Sequence, residues 1–511
     1  MGEVGCINCD QKLATKTVGS NPMASDQIVV PPPLSAQDRK SFAYKTIKDR
    51  LPEIVVKIID FFHKYKKELH KFGSGTIENP NERELAEIEE DAKALITQLA
   101  VERNAIETNK PTRLLERLDL PPELDYFNDD IDIWNEILEA NKSQDGQLPK
   151  YFETSWMLAE CYVYRKMKDS LLRSRHLKLF DPFIEQKQMA YRASLPQMLI
   201  VVNHLIEAER LTLESANCSH PSEMEEFALF IQLALWANKC DLSLSGMSAA
   251  DVQSQQLLSD IKKSLRSLQD NILCDNISEV WSKVQSIKNK VRLSTEYSAN
   301  EHTYIDIVAD NSGYEIFVDM CLAHFLSLVF CPTSKEASGV RFRFHLKRMP
   351  WFVSDTLKPD IDWLLKSMLD SVQNPILVEL ANKWRSYLAS GFWELHDDKY
   401  WTLPSDFSDM PIVGKELYAS LQQSSLIIFK GDLNYRKLTG DRKWHVLTPF
   451  RSALRNFLPA PLVALRTCKA DVVVGIEDMN IFAAIDNNRL PKNWMISGDY
   501  GLIQYYNPFN I

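Results

Sequence analysis

The sequence is poor in glycine, with 16 among 511 residues, and this scarcity bears on function before any motif is considered. Loops that bring the backbone against a nucleotide cofactor need several glycines after a first strand. The closely spaced Gly73-Ser74-Gly75 lies between two predicted helices instead. Long apolar runs are also missing. No stretch is long enough to span a bilayer, and the N-terminus has neither the charged start nor the apolar run of a secretory signal. Nor is there an excess of positive charge: 59 basic against 69 acidic residues give a formal net charge of -10, so the surface as a whole does not attract a polyanion. These absences predict an intracellular protein, cytoplasmic with the nucleus also open to it, that binds neither membrane nor nucleic acid.

Cysteine is present but unorganised. Nine residues without a repeating spacing, in a chain large enough to fold without staples, predict reduced thiols. Cys6 and Cys9 have zinc or redox spacing but no second pair nearby. Met1-Gly2 begins like a myristoylation signal, yet Cys6 stands where the motif requires Ser or Thr.

What is present is ordinary globular material, 45% hydrophobic and 25% charged, at a length that predicts two units. Residues 1–34 read as a disordered tail ending in Val29-Val30-Pro31-Pro32-Pro33, a stretch that favours extended backbone. Residues 35–300 read as mostly helical. A first amphipathic helix starts near Leu51, with Pro52 in its first turn and Gly73 able to end it, and a second carries Leu85, Ile88, Ala92, Leu95 and Leu99. Within this region 245–293, rich in Ser, Gln and Lys, reads as a helical insertion without chemistry. Residues 301–511 read as an α/β domain, because short apolar runs alternate with helical stretches: Tyr304–Ala309, Val340–Leu346, Ser425–Phe429, Leu462–Leu465 and Val472–Val474.

In such sheets ligands gather at the carboxyl ends of the strands, so the residues after each run are the candidates. The first run leads into Asp310-Asn311-Ser312-Gly313-Tyr314-Glu315. A carboxylate and an amide oxygen are hard ligands suited to magnesium or manganese, although Asp and Asn also cap helices for their own hydrogen bonding. The second is followed by Pro350-Trp351-Phe352-Val353-Ser354-Asp355, whose Asp is either a third oxygen ligand or another cap. The third gives Lys430-Gly431-Asp432-Leu433-Asn434-Tyr435-Arg436, where Gly431 permits a sharp turn and Lys430, Asn434 and Arg436 can donate to phosphate or sugar oxygens. Arg466-Thr467-Cys468-Lys469 closes the set with two cations. Trp156, Glu160 and Tyr164 share one helical face, a spacing that also suits plain core.

Together these segments, with Trp401-Thr402-Leu403-Pro404, Phe429 through Trp444, Leu235 through Ser243, and Trp156 through Arg165, resemble the damage-control phosphatase family, in particular its subfamily III of sugar phosphate phosphatases, which are acidic residue methyltransferase-like. The likeness covers about residues 40 to 508 and leaves out the tail and the 245–293 segment. It implies a helical N-terminal region packed on a Rossmann-like α/β/α domain with a mostly parallel sheet. It further implies a divalent metal, manganese or nickel with magnesium or cobalt as further candidates, held by Asp310, Asn311 and Asp355. Asp310 and Lys469 would be catalytic, with Asp310, Asn311, Asp432, Leu433, Asn434, Tyr435, Arg436 and Lys469 contacting the substrate. The expected substrate is a ketose phosphate such as fructose 1-phosphate or fructose 6-phosphate, with Arg436 and Lys469 neutralising charge as the ester breaks. Metal-activated water is the expected nucleophile, since no second Asp two residues after Asp310 supports an aspartyl-phosphate scheme.

Two other readings stand beside this one. The family's proposed methyltransferase activity would place S-adenosylmethionine at Glu315 and Asp355, with glutamate side chains of a protein as substrate; only Gly313 follows Asp310, which leans against it. The second is a catalytically silent interaction protein, against which the intact Asp355 and Lys469 argue.

Overall fold

β-branched and aromatic runs become central strands when helices cover both faces, and the alternation along two of them shows this directly. In the computed structural model, which describes residues 29–72, 79–214, 223–243, 255–293, 302–330 and 339–509, Ile427 and Phe429 turn to one hydrophobic cluster while Leu426 and Ile428 turn to another. Leu462 and Ala464 alternate with Val463 and Leu465 in the same way. The sheet between these clusters has seven strands: β1 (Ile272–Asp275), β2 (Thr303–Val308), β3 (Val340–His345), β4 (Trp393–His396), β5 (Ser424–Lys430), β6 (Leu462–Thr467) and β7 (Gly501–Tyr506). Their order is β1-β7-β6-β5-β2-β3-β4, parallel throughout except for the antiparallel pair β6–β7.

The chain builds β2, β3 and β4 outward in one direction and then returns to add β5 and β6 on the other side of β2. The strand order therefore reverses between β2 and β5, and a doubly wound sheet opens its ligand crevice at that point, outside the strand ends. The N-terminal helices, including Leu51–Tyr65, Glu82–Glu107 and Trp156–Leu172, cover one face. Leu195–Glu214, Glu223–Ser243, Tyr314–Phe330, Lys358–Leu369 and Pro375–Ala389 cover the other. The expected α/β class, with N-terminal helices against a mostly parallel sheet, is what the chain adopts.

Several local expectations need correcting. The first helical run begins at Phe42 rather than Leu51, passing through a π-turn at Thr46–Arg50. Pro52 has no N–H for the carbonyl four residues back, and the wider turn before it, with Leu51 N bonded to Thr46 O, absorbs the misfit. Val472–Val474 is buried but is not a strand, because side chains take its backbone: Gln504 Nε2 donates to Val474 O (2.7 Å), and Val474 N donates to the Tyr435 hydroxyl (3.2 Å). Residues 255–293 hold an edge strand, β1, between two helices, so the sheet reaches back before residue 300. Of the tail, residues 1–28, with Cys6 and Cys9, lie outside the described residues, as does Gly73. Pro32 O accepts from Lys443 N (3.1 Å), and Leu34 is buried with its N–H on Asp441 O (2.7 Å), so this end of the stretch is docked. Among the described residues no helix is long and apolar enough to cross a membrane.

Candidate functional site

The loop after β2 carries Asp310 and Asn311 into the helix Tyr314–Phe330, and its backbone is clipped to the loop after β3. Ser312 N donates to Ser354 O (2.7 Å), Thr356 N donates to Asp310 O (2.8 Å), and Asn311 pairs with Asp355 in an isolated antiparallel bridge. Those bonds bring Asp310, Asn311 and Asp355 together. Lys347, two residues beyond β3, joins them: its Nζ stands 3.2 Å from Asp355 Oδ2 and donates to Ala309 O at 3.3 Å.

The segment leading to Asp355 is strained. Phe352 and Val353 have φ of 43° and 74°, and Ser354 N closes a tight turn onto Phe352 O (3.0 Å). A β-branched residue in this region costs of order 1–3 kcal/mol and persists only where its surroundings over-determine it. Here Trp351 is buried, and the Phe352 ring stacks on Tyr164 of helix Trp156–Leu172 at 4.8 Å between centroids and 20° between planes. The helical region thus braces the loop that delivers Asp355.

Across the crevice, β5 ends at Lys430 and the helix Gly431–Thr439 begins. Gly431 has φ +84°, and a Cβ there would fall 2.0 Å from Asp310 Oδ2. The Asp310 carboxyl therefore lies directly on the Gly431 α-carbon, a place only glycine can fill. No side chain caps the first turn of this helix, which leaves its N–H groups and the positive end of its dipole facing the crevice. Asp432 Oδ1 accepts from Arg466 Nε (2.8 Å) and from Lys469 N (3.0 Å), tethering the β6 loop, while the Lys469 side chain is exposed and passes over Gly498.

Burial, then Glu315 and Asp355, hold the Asp310 carboxyl well above the usual range, with Lys347 and Lys469 pulling the other way. Asp355 is raised by burial too, opposed chiefly by Lys347. Buried acids facing one another are what a divalent cation relieves. Among the described residues no three His, Cys, Asp or Glu side chains form a metal-holding group by themselves; the expected set is two carboxylates and an amide oxygen, which fit magnesium or manganese better than a softer ion. The Asn311 carboxamide is fixed at both ends: Nδ2 donates to Asp310 Oδ2 (2.7 Å) and Glu315 Oε2 (2.8 Å), and Oδ1 accepts from Ser354 Oγ (2.5 Å).

The side chains of 433–436 do not reach this crevice. Leu433 is core. Asn434 is buried, with Nδ2 on the carbonyls of Val308 (3.3 Å), Ala309 (3.2 Å) and Lys430 (2.8 Å). The buried Tyr435 hydroxyl bonds Gln504 Oε1 at 2.8 Å. Arg436, expected to neutralise phosphate charge, is 3% exposed: it grips Asp441 with two bonds of 2.9 Å, Glu160 with one of 2.8 Å, and lies 3.6 Å over the Trp156 ring. Lys430, read as a phosphate donor, is buried against Glu315 and Asp319. Glu315, expected at a methyl donor, has one oxygen on Lys430 and the other on Asn311. The sequence reading missed Lys347, Ser354 and Asp319. Ser354 lies within the Pro350–Asp355 segment already singled out and Lys347 just before it, and only the pairing of two loops shows that they converge.

The family model for the damage-control phosphatase ARMT1-like domain matches residues 46–484. Curated relatives described as "Damage-control phosphatase ARMT1" match over nearly their whole length: that of Danio rerio is 36% identical, with 95% of this chain and 99% of the relative covered, and that of Homo sapiens is 37% identical, with 94% and 99% covered. The Xenopus laevis relative is 38% identical over 92% of this chain and 98% of its own. A crystal structure of a DUF89 family protein from Pyrococcus horikoshii aligns at 14% identity and a TM-score of 0.35, covering 75% of this chain and 91% of that one, a likeness too distant to add to the fold described above. The chain belongs to the damage-control phosphatase ARMT1-like family.

Proposed function

We propose that this chain is a divalent-metal-dependent phosphomonoester hydrolase acting on small sugar phosphates, fructose 1-phosphate and fructose 6-phosphate among them. The observation that carries the reading is the placement of the Asp310 carboxyl against Gly431, at the start of a helix without a side-chain cap and beside Asp355. Asp310, Asn311 and Asp355 would hold the metal, manganese in first place. When bound, the cation supplies charge neutralisation at the phosphoryl group and acidifies a water.

The chain's own groups do the rest. First-turn N–H groups of helix Gly431–Thr439 bind phosphate oxygens, so residues 432–434 act through their backbone rather than their side chains. Lys469, exposed and anchored through its own N–H to Asp432, neutralises charge that develops as the ester bond breaks. Asp310 Oδ2 already accepts from Asn311 Nδ2, which favours water over this carboxylate as the attacking group.

Phosphate release from a panel of phosphorylated sugars, measured on metal-stripped protein resupplied with Mn2+, Ni2+, Mg2+ or Co2+, tests this. Turnover of at least one hexose phosphate is expected, falling by about 10³-fold or more in Asp310→Ala. No turnover on any sugar phosphate with any of these ions, or wild-type turnover in the variant, would reject the reading.

A further inference from the structure

Beneath the crevice lies a buried cluster of charges that the proposed chemistry does not use. Lys430, at the end of β5, is fully buried, and so is Asp319; Glu315 is 6% exposed. Lys430 donates to Glu315 Oε1 at 3.1 Å and to Ala234 O at 2.7 Å, and its ammonium forms an ion pair with Asp319 Oδ1 at 2.8 Å. Ala234 belongs to helix Glu223–Ser243 next to its kink at Trp236, where φ and ψ are -100° and 15°. Burying a cation is costly unless it is paired and hydrogen-bonded, and here the pairing holds Glu315 by one oxygen. Its other oxygen accepts from Asn311 Nδ2 at 2.8 Å.

A carboxylate can only accept hydrogen bonds. Glu315, together with Asp310 Oδ2 at 2.7 Å, therefore selects the amide-nitrogen end of the Asn311 side chain and leaves Oδ1 on the Ser354 side, next to Asp355 in sequence. We propose that Glu315 is a positioning residue for the metal ligand Asn311: anchored by Lys430, it fixes the carboxamide so that Oδ1 faces a divalent cation shared with Asp310 and Asp355. This rests on the metal-dependent reading above, and it gives Glu315 a task that needs no methyl donor. Groups that orient a metal ligand typically change metal affinity by 10–100-fold when replaced.

The test is titration of the full-length, metal-free chain with Mn2+ alone, following free Mn2+ by electron paramagnetic resonance. Glu315→Gln is isosteric and leaves Lys430 its contacts with Asp319 and Ala234, and a thermal melt checks that the variant is folded. Its amide can offer a donor to Asn311 and so stop selecting the nitrogen end, and Mn2+ affinity is expected to fall about tenfold or more. In an Asn311→Asp background no carboxamide remains to be oriented, and Glu315→Gln should then cost nothing or even strengthen binding by removing a facing charge. Equal losses in both backgrounds would mean a merely structural role and overturn the proposal, as would unchanged affinity in the single variant. Ser354→Ala, which touches the other end of the carboxamide and leaves the Lys430 cluster intact, should lose less than Glu315→Gln; a greater loss would assign the orienting role to Ser354 instead. Wild-type protein that binds no Mn2+ would overturn the metal-dependent reading itself, whereas wild-type binding with indifferent variants overturns only the role of Glu315.

Discussion

Lys168 shows how far this molecule buries charge away from its chemistry. Its ammonium is 2% exposed, donates to Lys178 O at 2.6 Å and sits 4.1 Å from the centre of the Phe127 ring, with no carboxylate among the described residues bonded to it. Burial, with Arg165 adding to it, pulls this lysine down to about 7. In the unfolded chain a lysine stays protonated to about pH 10. Between about pH 7 and 10 the unfolded state therefore binds one more proton, and stability from this group rises with pH across that window. Lys168→Met removes the burial cost at the loss of one hydrogen bond, and should stabilise the protein by about 1–3 kcal/mol at pH 7. Denaturant unfolding of both proteins at pH 7, 8, 9 and 10 would check it. The advantage of the variant should shrink as pH rises; a constant or growing difference would contradict the assignment.

The turn from β5 into the helix Gly431–Thr439 is where an element's geometry becomes site geometry. Gly431→Ala forces a side chain into the left-handed region at a cost of about 1–3 kcal/mol, and its methyl would occupy the place of the Asp310 carboxyl. Activity at saturating Mn2+ should fall by about 100-fold or more, in a protein whose melt shows it folded; near-normal turnover would mean that Asp310 does not work from its observed position. The sequence reading reached this turn through Gly431, and it placed Asp310, Asn311 and Asp355 at strand ends because apolar runs broken by polar residues are visible in one dimension. It did not reach β1, β4 or β7, which are short or lie at or near the sheet's edges. Nor did it distinguish the residues of 432–436 that face the crevice from those buried against the sheet or the helical region, since Asn434 and Arg436 carry the same donors in either setting. Lys347 is the clearest omission: its meaning depends on a loop pairing, Lys347 N with Thr356 O, that no spacing announces.

At the scale of the whole molecule, the helical region is a wall of the candidate site rather than an appendage. Among the ties that cross from it to the α/β part are Tyr164 on Phe352, Lys187 Nζ on Asp355 O at 2.9 Å, and Glu160 on Arg436 at 2.8 Å. The last distinguishes two views of Arg436. If the guanidinium serves substrate, its loss raises KM and leaves the fold intact. If it serves the joint, its loss strands Glu160 and Asp441 as buried carboxylates, which costs about 3–5 kcal/mol. Burial already lifts the Glu160 carboxyl, and Arg436 is the chief group opposing that rise. Arg436→Met keeps an apolar side chain of similar length and removes the guanidinium, with its bonds to Asp441 and Glu160 and its place over Trp156. The expected result is a large loss of stability in denaturant unfolding, with KM for a sugar phosphate within about threefold of wild type at a temperature where the variant is folded; such a change in KM is under 1 kcal/mol, well below that of a lost charged contact to phosphate. A tenfold rise in KM without loss of stability would return Arg436 to the substrate and require the helical wall to open far enough to release it.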